Sequence, residues 1–329
     1  MNILITGGAG YIGSHVALAF LDKNHNVTIL DNLETGYINS VPKKAKFVKG
    51  DFSDVKLLNS LFDTNKFDAL IHMAAYIEVE ESVFNPEKYL VNNFHKSKIL
   101  FDFCASRKLK NIVFSSTGAV YGNSKENFVN EKSETKPMNP YAESKLLAEK
   151  YLDKISNEKN INYSILRFFN VAGADLNLRS GHICKKATHL IKIACEVALN
   201  KKKSLTIFGD DYSTIDGTAI RDYIHVSDIA DIHLESLNYI LHNNKSETFN
   251  CGYGKGFTVK QVVKALNDLL DKPINVSIGP RRDGDVESLI ADITKIRDTI
   301  SWKPKYSKLS EILSSALAWE KNISKLKNE

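Results

Sequence analysis

The sequence predicts an α/β protein with a doubly wound parallel sheet and a smaller, mixed α/β lobe towards the carboxyl end. Three observations support this prediction. Short apolar runs alternate with helical patterns through the first half of the chain, and a glycine-rich turn joins the first strand to the first helix. The length of 329 residues exceeds that of one ordinary domain. We expect one part over residues 1–170 and a second over 171–329, with some later segments crossing back.

The first part contains six predicted strands whose apolar residues run continuously, which is typical of a parallel sheet covered on both faces. The strands are NILIT (2–6), NVTIL (26–30), AKFVK (45–49), DALIH (68–72), NIVFSS (111–116) and YSILRF (163–168). The helices expected between them cover about 11–23, 54–62, 86–107 and 140–157.

The second part is less regular. Its helical patterns lie near 184–200, 226–242, 258–270 and 308–324, and its strand candidates are LTIF (205–208), ETFNC (247–251) and INVSI (274–278). Because no Pro/Gly-rich hinge separates the two parts, we expect them to pack closely, with the working site in the cleft between them.

Composition excludes several classes of function. The formal net charge is +5, but the basic residues are scattered, and the run Lys201–Lys203 is interpreted as a solvated loop rather than a nucleic-acid surface. The histidines lack metal-ligand spacing. No apolar run approaches the roughly 20 residues that span a bilayer. The four cysteines lie far apart and the chain starts with a strand, so we expect a cytoplasmic protein with reduced thiols.

The segment TGGAGYIGSH follows the first strand and opens the first helix. Gly8, Gly10 and Gly13 fit the pattern G-x-G-x-x-G, and Gly7 with the latter two fits G-x-x-G-x-x-G. Such glycines permit a tight turn and let backbone N–H groups approach a pyrophosphate at the positive end of a helix. Glycine turns also occur without nucleotides, so the neighbouring residues decide. We therefore predict that residues 1–170 form a Rossmann-type dinucleotide-binding part.

Acidic residues end the next two strands. Asp31 lies 18 residues after Gly13, where a carboxylate accepts hydrogen bonds from both ribose hydroxyls and repels a 2′-phosphate, which favours NAD over NADP. Asp51 and Phe52 are expected to hold the amine and face of the adenine; the alternative for Asp51 is a helix N-cap. After the fourth strand, the small side chains of residues 72–75 allow backbone to lie against a cofactor.

Hydroxyl and amine groups follow the fifth strand. Thr117 ends it, and Tyr141 and Lys145 lie one helical turn apart behind Pro140. Lowering a phenol pKa from about 10 to about 7 requires roughly 4 kcal/mol, which one ammonium about 4 Å away supplies at an effective dielectric near 20. We therefore predict Tyr141 as the base, Lys145 as its support and Thr117 as the group that orients a substrate hydroxyl. An isolated Y-x-x-x-K match is usually an exposed helix pair, and only this context favours catalysis.

Together TGGAGYIGSH, Asp31, SST…VYG and YAESK resemble the extended short-chain dehydrogenase/reductase family. The segments at 167–174, 207–231, 249–259 and 281–285 narrow the resemblance to UDP-glucose 4-epimerases over nearly the whole chain. The resemblance implies NAD-dependent epimerisation of UDP-hexoses through a transient 4-keto sugar. It also implies a homodimer formed through the helices near 86–107 and 140–157.

The resemblance implies a role for each site residue. The residues expected at the cofactor are Gly7, Gly10, Tyr11, Ile12, Gly13, Asp31, Asn32, Asp51, Phe52, Ala74, Ala75, Asn92, Ser115, Tyr141, Lys145 and Phe169. Those expected at the UDP-sugar are Thr117, Asn170, His189, Leu190, Phe208, Arg221, Tyr223, Arg282, Asp285 and Leu289. The two arginines would hold the diphosphate, Phe208 would lie near uracil and Asp285 would accept from ribose. Without the resemblance, the preferred interpretation of each arginine is a surface ion-pairing residue.

The sequence departs from the family pattern at four positions. Thr117 replaces a frequent serine, Ile77 a lysine found in some members, and Phe168 a frequent tyrosine. Leu289 stands where relatives restricted to glucose and galactose carry tyrosine, and it leaves room for an N-acetyl group; the alternative is simple core packing. We therefore expect activity on UDP-N-acetylglucosamine as well.

Two rival functions remain at this point. A nucleotide-sugar 4,6-dehydratase or decarboxylase shares the fold, but dehydratases place an acidic pair after the catalytic threonine, where this chain has Gly118 and Ala119. A non-catalytic, NAD-bound regulatory protein would not need Thr117, Tyr141 and Lys145 together.

Overall fold

The structure is a computed structural model that describes residues 1–124, 126–185, 187–282 and 284–326. The strands, in chain order, are β1 (Asn2–Thr6), β2 (Asn26–Asp31), β3 (Lys46–Lys49), β4 (Ala69–His72), β5 (Asn111–Thr117), β6 (Asn162–Phe168), β7 (Asn170–Ala172), β8 (Leu205–Phe208), β9 (Ile220–His225), β10 (Glu247–Cys251), β11 (Gly256–Thr258), β12 (Val276–Gly279) and β13 (Ser288–Leu289).

The helices alternate with these strands in the first part and cluster in the second. They are α1 (Tyr11–Asp22), α2 (Val55–Thr64), α3 (Val79–Phe84), α4 (Pro86–Tyr89), α5 (Lys96–Ser106), α6 (Pro140–Lys159), α7 (Leu190–Ala198), α8 (Val226–Asn243), α9 (Val259–Asn267), α10 (Thr294–Thr299) and α11 (Leu309–Leu326). Among the described helices, none is long and apolar enough to cross a membrane.

A seven-stranded parallel sheet carries the fold, in the order β10-β6-β5-β4-β1-β2-β3. Successive residues of β1 enter opposite cores, because side chains alternate along a strand. Ile3 and Ile5 pack with α1 and α8, and Leu4 packs on the side of α2, α5 and α6. The predicted α/β, Rossmann-type doubly wound fold is confirmed. Strand order reverses beside β1, where such sheets bind ligands.

The later residues form smaller sheets and a core of their own. Strand β9 pairs with β7 and β13 in parallel and with β11 antiparallel, and β8 pairs with β12. Helices α7, α9 and α11 cover this core, which includes Ile191, Val262 and Leu313. Two later elements join the first part: β10 lies beside β6 at the sheet edge, and α8 packs on α1.

Several predicted boundaries are wrong. The helix expected at 184–200 begins only at Leu190, and the one expected at 86–107 is interrupted by a π-helical turn, Leu90–His95. The pattern also missed β7, β9, β11, β13, α3 and α10. Strand β9 was missed because Asp222 breaks its apolar run. That buried carboxylate is tolerated since it accepts hydrogen bonds from the backbone N–H groups of Tyr253, Gly254 and Ala291.

The glycine turn after β1 packs too tightly for most side chains. Gly7 has a φ of +73°, and a Cβ there would lie 2.6 Å from the Ala74 nitrogen. A Cβ on Gly13 would lie 2.2 Å from the Gly7 carbonyl oxygen. The first turn of α1 therefore sits directly against the loop that precedes it.

We expect Gly13→Ala to lower the free energy of unfolding by about 1–3 kcal/mol, because the added methyl group overpacks this contact. Urea denaturation of protein stripped of NAD measures the loss without interference from ligand binding. Gly10→Ala is the matched control, since its Cβ would meet only the Gly7 oxygen, at 3.2 Å. Equal losses in the two variants would contradict the packing argument.

Candidate active site

The loops that follow β1, β2, β4 and β5 meet at the carboxyl edge of the large sheet. The N-cap of α1, Gly10, makes no side-chain cap, and no acidic residue lies in the first turn. The positive end of α1 therefore remains available to an anion. Tyr11 is held in place there: its hydroxyl donates to the Gly173 carbonyl at 2.6 Å, and its ring stacks on His182 with centroids 4.6 Å apart. Ile12 packs against the core beneath.

Asp31 ends β2 and points towards the glycine turn. Its Oδ2 accepts from the Ala9 N–H at 3.0 Å, and its Oδ1 accepts from the Leu33 N–H at 2.8 Å. Burial raises the pKa of Asp31, and the two backbone N–H groups oppose this by stabilising the carboxylate. Each oxygen keeps a further acceptor position for a ligand hydroxyl. Asn32, next in the chain, is exposed and accepts from the Glu34 N–H at 3.0 Å.

The structure places Asp51 in an ion pair and not at a helix cap. Its Oδ2 lies 2.5 Å from Lys96 Nζ, and Asp54 caps α2 instead. Lys96 and Ser53 lower the pKa of Asp51 against the effect of its burial. Phe52 is buried, with its ring centroid 5.0 Å from that of His72.

The backbone after β4 lies close to the glycine turn, as the Gly7–Ala74 approach shows, and Ala75 follows directly. Asn92 is buried in the π-helical turn and donates to Asn93 Oδ1 at 3.1 Å. The π-helical turn lies between the loop after β4 and α6, because Asn93 accepts from the Tyr76 N–H at 2.9 Å and donates to the Ser144 hydroxyl at 3.1 Å. Such turns are often found at functional sites.

Thr117, Tyr141 and Lys145 come together where β5 ends and α6 begins. Asn139 caps α6 by accepting from the Ala142 N–H at 2.9 Å, which sets Tyr141 in the first turn. The Thr117 hydroxyl interacts with Tyr141 and also accepts from the Ala119 N–H at 3.1 Å. Lys145 is only 3% exposed, with its ammonium 4.3 Å from the centre of the Phe114 ring.

The protein's own groups do not produce the low phenol pKa expected from the sequence. Burial raises the pKa of Tyr141, and only the Thr117 hydroxyl opposes it. Burial lowers the pKa of Lys145 to about 7, with Glu149 acting in the opposite direction. We expected the Lys145 ammonium to lower the pKa of Tyr141, but burial desolvates both groups. Near neutral pH the lysine therefore loses part of its own charge.

A buried polar network lies behind Lys145. Glu149 follows it by one helical turn and pairs with Arg167, with Nη2 and Oε2 2.7 Å apart. Arg167 also donates to the Tyr121 hydroxyl at 2.9 Å, and Tyr121 donates to Asn250 Oδ1 at 2.6 Å. None of Glu149, Arg167, Tyr121 and Asn250 was predicted from the sequence as a site residue. The i,i+4 spacing of Lys145 and Glu149 was the available signal, because it puts both on one face of α6.

Ser115 and Phe169 lie near the carboxyl end of β5, which Thr117 ends. The Ser115 hydroxyl lies 3.0 Å from His233 Nε2 on α8, so its side chain is already engaged. Phe169 is buried against Gly118, where a Cβ would lie 3.2 Å from the Phe169 ring. Phe169 belongs to an apolar cluster against which Leu289 packs. The cluster consists of Val120, Tyr121, Val129, Leu146, Phe169 and Ala291.

Strand β9 carries two predicted substrate residues. Tyr223 is buried and pairs in register with Asn170 at the exposed start of β7. Arg221 pairs in register with Leu289 and forms an ion pair with Asp285. The two residues predicted to bind diphosphate and ribose thus bind each other.

The remaining substrate candidates lie at the ends of α7 and β8. His189 is the N-cap residue of α7 and Leu190 its first residue. The His189 ring meets the edge of His182 at 5.2 Å, and this histidine stacks on Tyr11, so the starts of α7 and α1 face each other. At the end of β8, the Arg282 guanidinium lies 3.9 Å from the centre of the Phe208 ring.

Comparison with known proteins identifies the family. The model of the NAD dependent epimerase/dehydratase family matches residues 3–252. The chain belongs to this family. A UDP-glucose 4-epimerase of Azospirillum brasilense is 41% identical over 322 residues, covering 98% of this chain and 92% of the relative. The UDP-Glc/GlcNAc 4-epimerase structure from Campylobacter jejuni is 45% identical, with a TM-score of 0.85 and 98% and 99% coverage. The Stenotrophomonas maltophila UDP-glucose-4-epimerase with bound NAD and formylated UDP-arabinopyranose is 31% identical, with a TM-score of 0.95 and 99% coverage of both chains.

Family membership makes the chain an NAD-dependent enzyme, which confirms the cofactor predicted from the glycine turn and Asp31. The residues present fit the dinucleotide. The glycine turn forms a cradle that a Cβ at Gly7 or Gly13 would fill, the end of α1 is uncapped, and Asp31 keeps free acceptor positions beside it.

Because the pKa of Lys145 is lowered in the folded protein, the free energy of unfolding should depend on pH. Its folded-state pKa of about 7 lies below the ordinary 10.5, so between these values the unfolded chain holds a proton that the folded protein lacks. Stability contributed at this position therefore rises with pH through that window. In protein stripped of NAD, we expect the gain in unfolding free energy from Lys145→Met to be largest near about pH 7 and to shrink towards about pH 9.5.

Urea denaturation across that pH range measures the trend. Lys264→Met removes the charge of a lysine whose side chain is 80% exposed and serves as the control. A difference between wild type and Lys145→Met that does not change with pH would contradict the assignment of a desolvated ammonium.

Proposed function

We propose that this enzyme catalyses the NAD-dependent 4-epimerisation of UDP-hexoses, interconverting UDP-glucose and UDP-galactose through a transient 4-keto sugar. The observation that carries the proposal is the grouping of Thr117, Tyr141 and Lys145 where β5 ends and α6 begins: Thr117 and Lys145 are buried, and the Thr117 hydroxyl interacts with Tyr141. End-to-end similarity to UDP-glucose 4-epimerases supports the same substrate class.

Each of the three residues has a distinct part in the proposed reaction. Tyr141 takes the proton of the sugar 4-hydroxyl, and Thr117, which already interacts with the phenol, orients that hydroxyl. Lys145 stabilises the phenolate and holds ribose hydroxyls of the cofactor. Bound NAD supplies reversible storage for the hydride removed from C4. The 4-keto sugar then turns about its diphosphate link before the hydride returns to the other face.

This reaction requires a tightly held nucleotide and a loosely held sugar. We assign the nucleotide to Arg221, Arg282, Phe208 and Asp285, and the sugar to the apolar cluster bordered by Leu289. In the proposed complex the diphosphate replaces Asp285 as a partner of Arg221. Planar guanidinium groups match phosphate oxygens well.

The rival functions have less support. Gly118 and Ala119 form a short 3-10 turn after Thr117, and neither offers the carboxylate that a dehydratase needs for a C5 proton. A non-catalytic protein has no need to bury a lysine one helical turn after a tyrosine, since burial of an ammonium is costly.

We expect Tyr141→Phe to lower kcat at least about a hundredfold, because general acid–base catalysis typically contributes that much or more. Folding and NAD content should stay unchanged, since only a hydroxyl is lost. A coupled assay of UDP-galactose turnover, with NAD quantified after denaturation, provides both measurements. Tyr163→Phe, which removes a buried hydroxyl donating to Asp153, is the control. Substantial residual turnover in Tyr141→Phe would contradict its assignment as the base.

We further propose that the enzyme accepts the N-acetylated sugars. Leu289 is half-buried and packs against a cluster that includes Phe169, Tyr121 and Ala291, so part of its side chain remains accessible. Leucine leaves more room beside the sugar 2-position than tyrosine. The similarity to the UDP-Glc/GlcNAc 4-epimerase from Campylobacter jejuni supports this specificity.

Leu289→Tyr is expected to lower kcat/KM for UDP-N-acetylglucosamine at least about tenfold relative to UDP-glucose, because the larger ring fills the acetyl space. Leu289→Met conserves volume and should leave the ratio unchanged. Turnover assays with UDP-N-acetylglucosamine and UDP-glucose, run in parallel on each variant, measure this ratio of kcat/KM values. Wild-type enzyme without activity on the acetylated sugar would disprove the proposal.

We also propose a cytoplasmic homodimer. Val91 and Ile99 are 37% and 41% exposed on the predicted dimer segment, and apolar exposure of this kind suits an interface. The four cysteines are unpaired thiols, three of them buried, which suits a reducing compartment.

A further inference from the structure

The glycine turn after β1 lies in a groove between two walls. On one side, the backbone after β4 approaches it so closely that a Cβ on Gly7 would lie 2.6 Å from the Ala74 nitrogen. On the other side, the loop after β2 contacts it through a hydrogen bond from the Tyr37 N–H to the Ala9 carbonyl at 3.0 Å. Since β1 lies between β4 and β2 in the sheet, these loops flank the place where the dinucleotide binds.

A side-chain hydrogen bond joins the two walls. The Tyr76 hydroxyl, from the loop after β4, donates to Glu34 Oε1, from the loop after β2, at 2.5 Å. Burial, and then the bond to Glu34, raises the pKa of Tyr76, so the phenol keeps its proton and remains a donor. The bond therefore spans the groove from one side to the other.

Both partners are positioned by neighbouring side chains. Asn93 holds the main chain of Tyr76 at both polar groups: its Oδ1 accepts from the Tyr76 N–H, and its Nδ2 donates to the Tyr76 carbonyl, each at 2.9 Å. The Glu34 N–H donates to Asn32 Oδ1 at 3.0 Å. A chance contact between two exposed side chains would not need this double anchoring.

We propose that the hydrogen bond between Tyr76 and Glu34 is a clasp that closes over the dinucleotide groove and slows the release of NAD. Glu34 places a second carboxylate near Asp31, at the side of the groove assigned to the adenosine ribose. The clasp rests on the proposed function only in requiring that NAD occupies this groove. An epimerase benefits from such a clasp because the electrons taken from the sugar must be returned within the same complex.

The clasp is connected to the catalytic tyrosine through packed side chains. Lys88 Nζ lies 4.2 Å from the centre of the Tyr76 ring and 2.8 Å from Glu81. Glu81 also accepts from the Tyr89 hydroxyl at 2.8 Å, and the Tyr89 ring meets the edge of the Tyr141 ring, with centroids 6.5 Å apart. The wall that carries Tyr76 therefore also packs against the catalytic site.

The test measures NAD release from the holoenzyme, without turnover. Holoenzyme of wild type, Tyr76→Phe, Glu34→Ala and the double variant is diluted, and released NAD is trapped by a second dehydrogenase with its substrate. Each single variant is expected to release NAD about five- to tenfold faster, the size expected for one hydrogen bond to a charged group with partial exposure. The double variant should release it no faster than the faster single variant, because both changes break the same bond.

Tyr163→Phe is the matched control, since it also removes a tyrosine-to-carboxylate hydrogen bond, of 2.6 Å to Asp153, away from the groove. It should release NAD at the wild-type rate. Unchanged release in Tyr76→Phe, or additive effects in the double variant, would overturn the clasp while leaving the proposed function intact. Wild-type protein that cannot be loaded with NAD would instead contradict the proposed function.

Discussion

The burial of the Lys145 ammonium, one helical turn after Tyr141 on α6, is the constraint on which the site depends. Desolvation disfavours the charged form of each group, so the pKa of Tyr141 rises further from neutrality while the pKa of Lys145 falls to about 7. The Phe114 ring face and the Glu149 carboxylate partly offset this cost for the lysine. Glu149 in turn forms a buried ion pair with Arg167, so the polar network behind Lys145 extends through the core to β6.

A second consequence concerns how the two parts of the chain are joined. The network behind Lys145 continues from Arg167 to Tyr121 and then to Asn250, which lies on β10 at the edge of the large sheet. The chain thus returns from its later half to complete the polar network behind Lys145. Close by, buried Asp222 ties β9 to the segments after β10 and β13. Strand β9 therefore carries the candidate substrate residues Arg221 and Tyr223, and β10 contributes Asn250 to the network behind Lys145.

The candidate substrate residues are arranged as two pairs, Arg221 with Asp285 and Arg282 with Phe208. Each pair orients a guanidinium group in advance, and this lowers the entropy lost when a diphosphate is bound. The region around Phe169 and Leu289 is apolar by comparison. This division suits the proposed reaction, in which the nucleotide stays fixed while a ketone intermediate turns beside it.

The sequence by itself determined the parallel sheet, the glycine turn and the choice of NAD, and it predicted which hydroxyl and amine groups act at the site. These follow from local signals: continuous apolar strands, glycine spacing and helical periodicity act over short stretches of chain. Only the tertiary structure decided that ETFNC joins the large sheet, that Arg221 pairs with Asp285 and that Tyr76 reaches Glu34. It also decided that Lys145 is desolvated. Burial and pairing between distant residues arise only when the chain is folded, because they depend on which surfaces exclude water together.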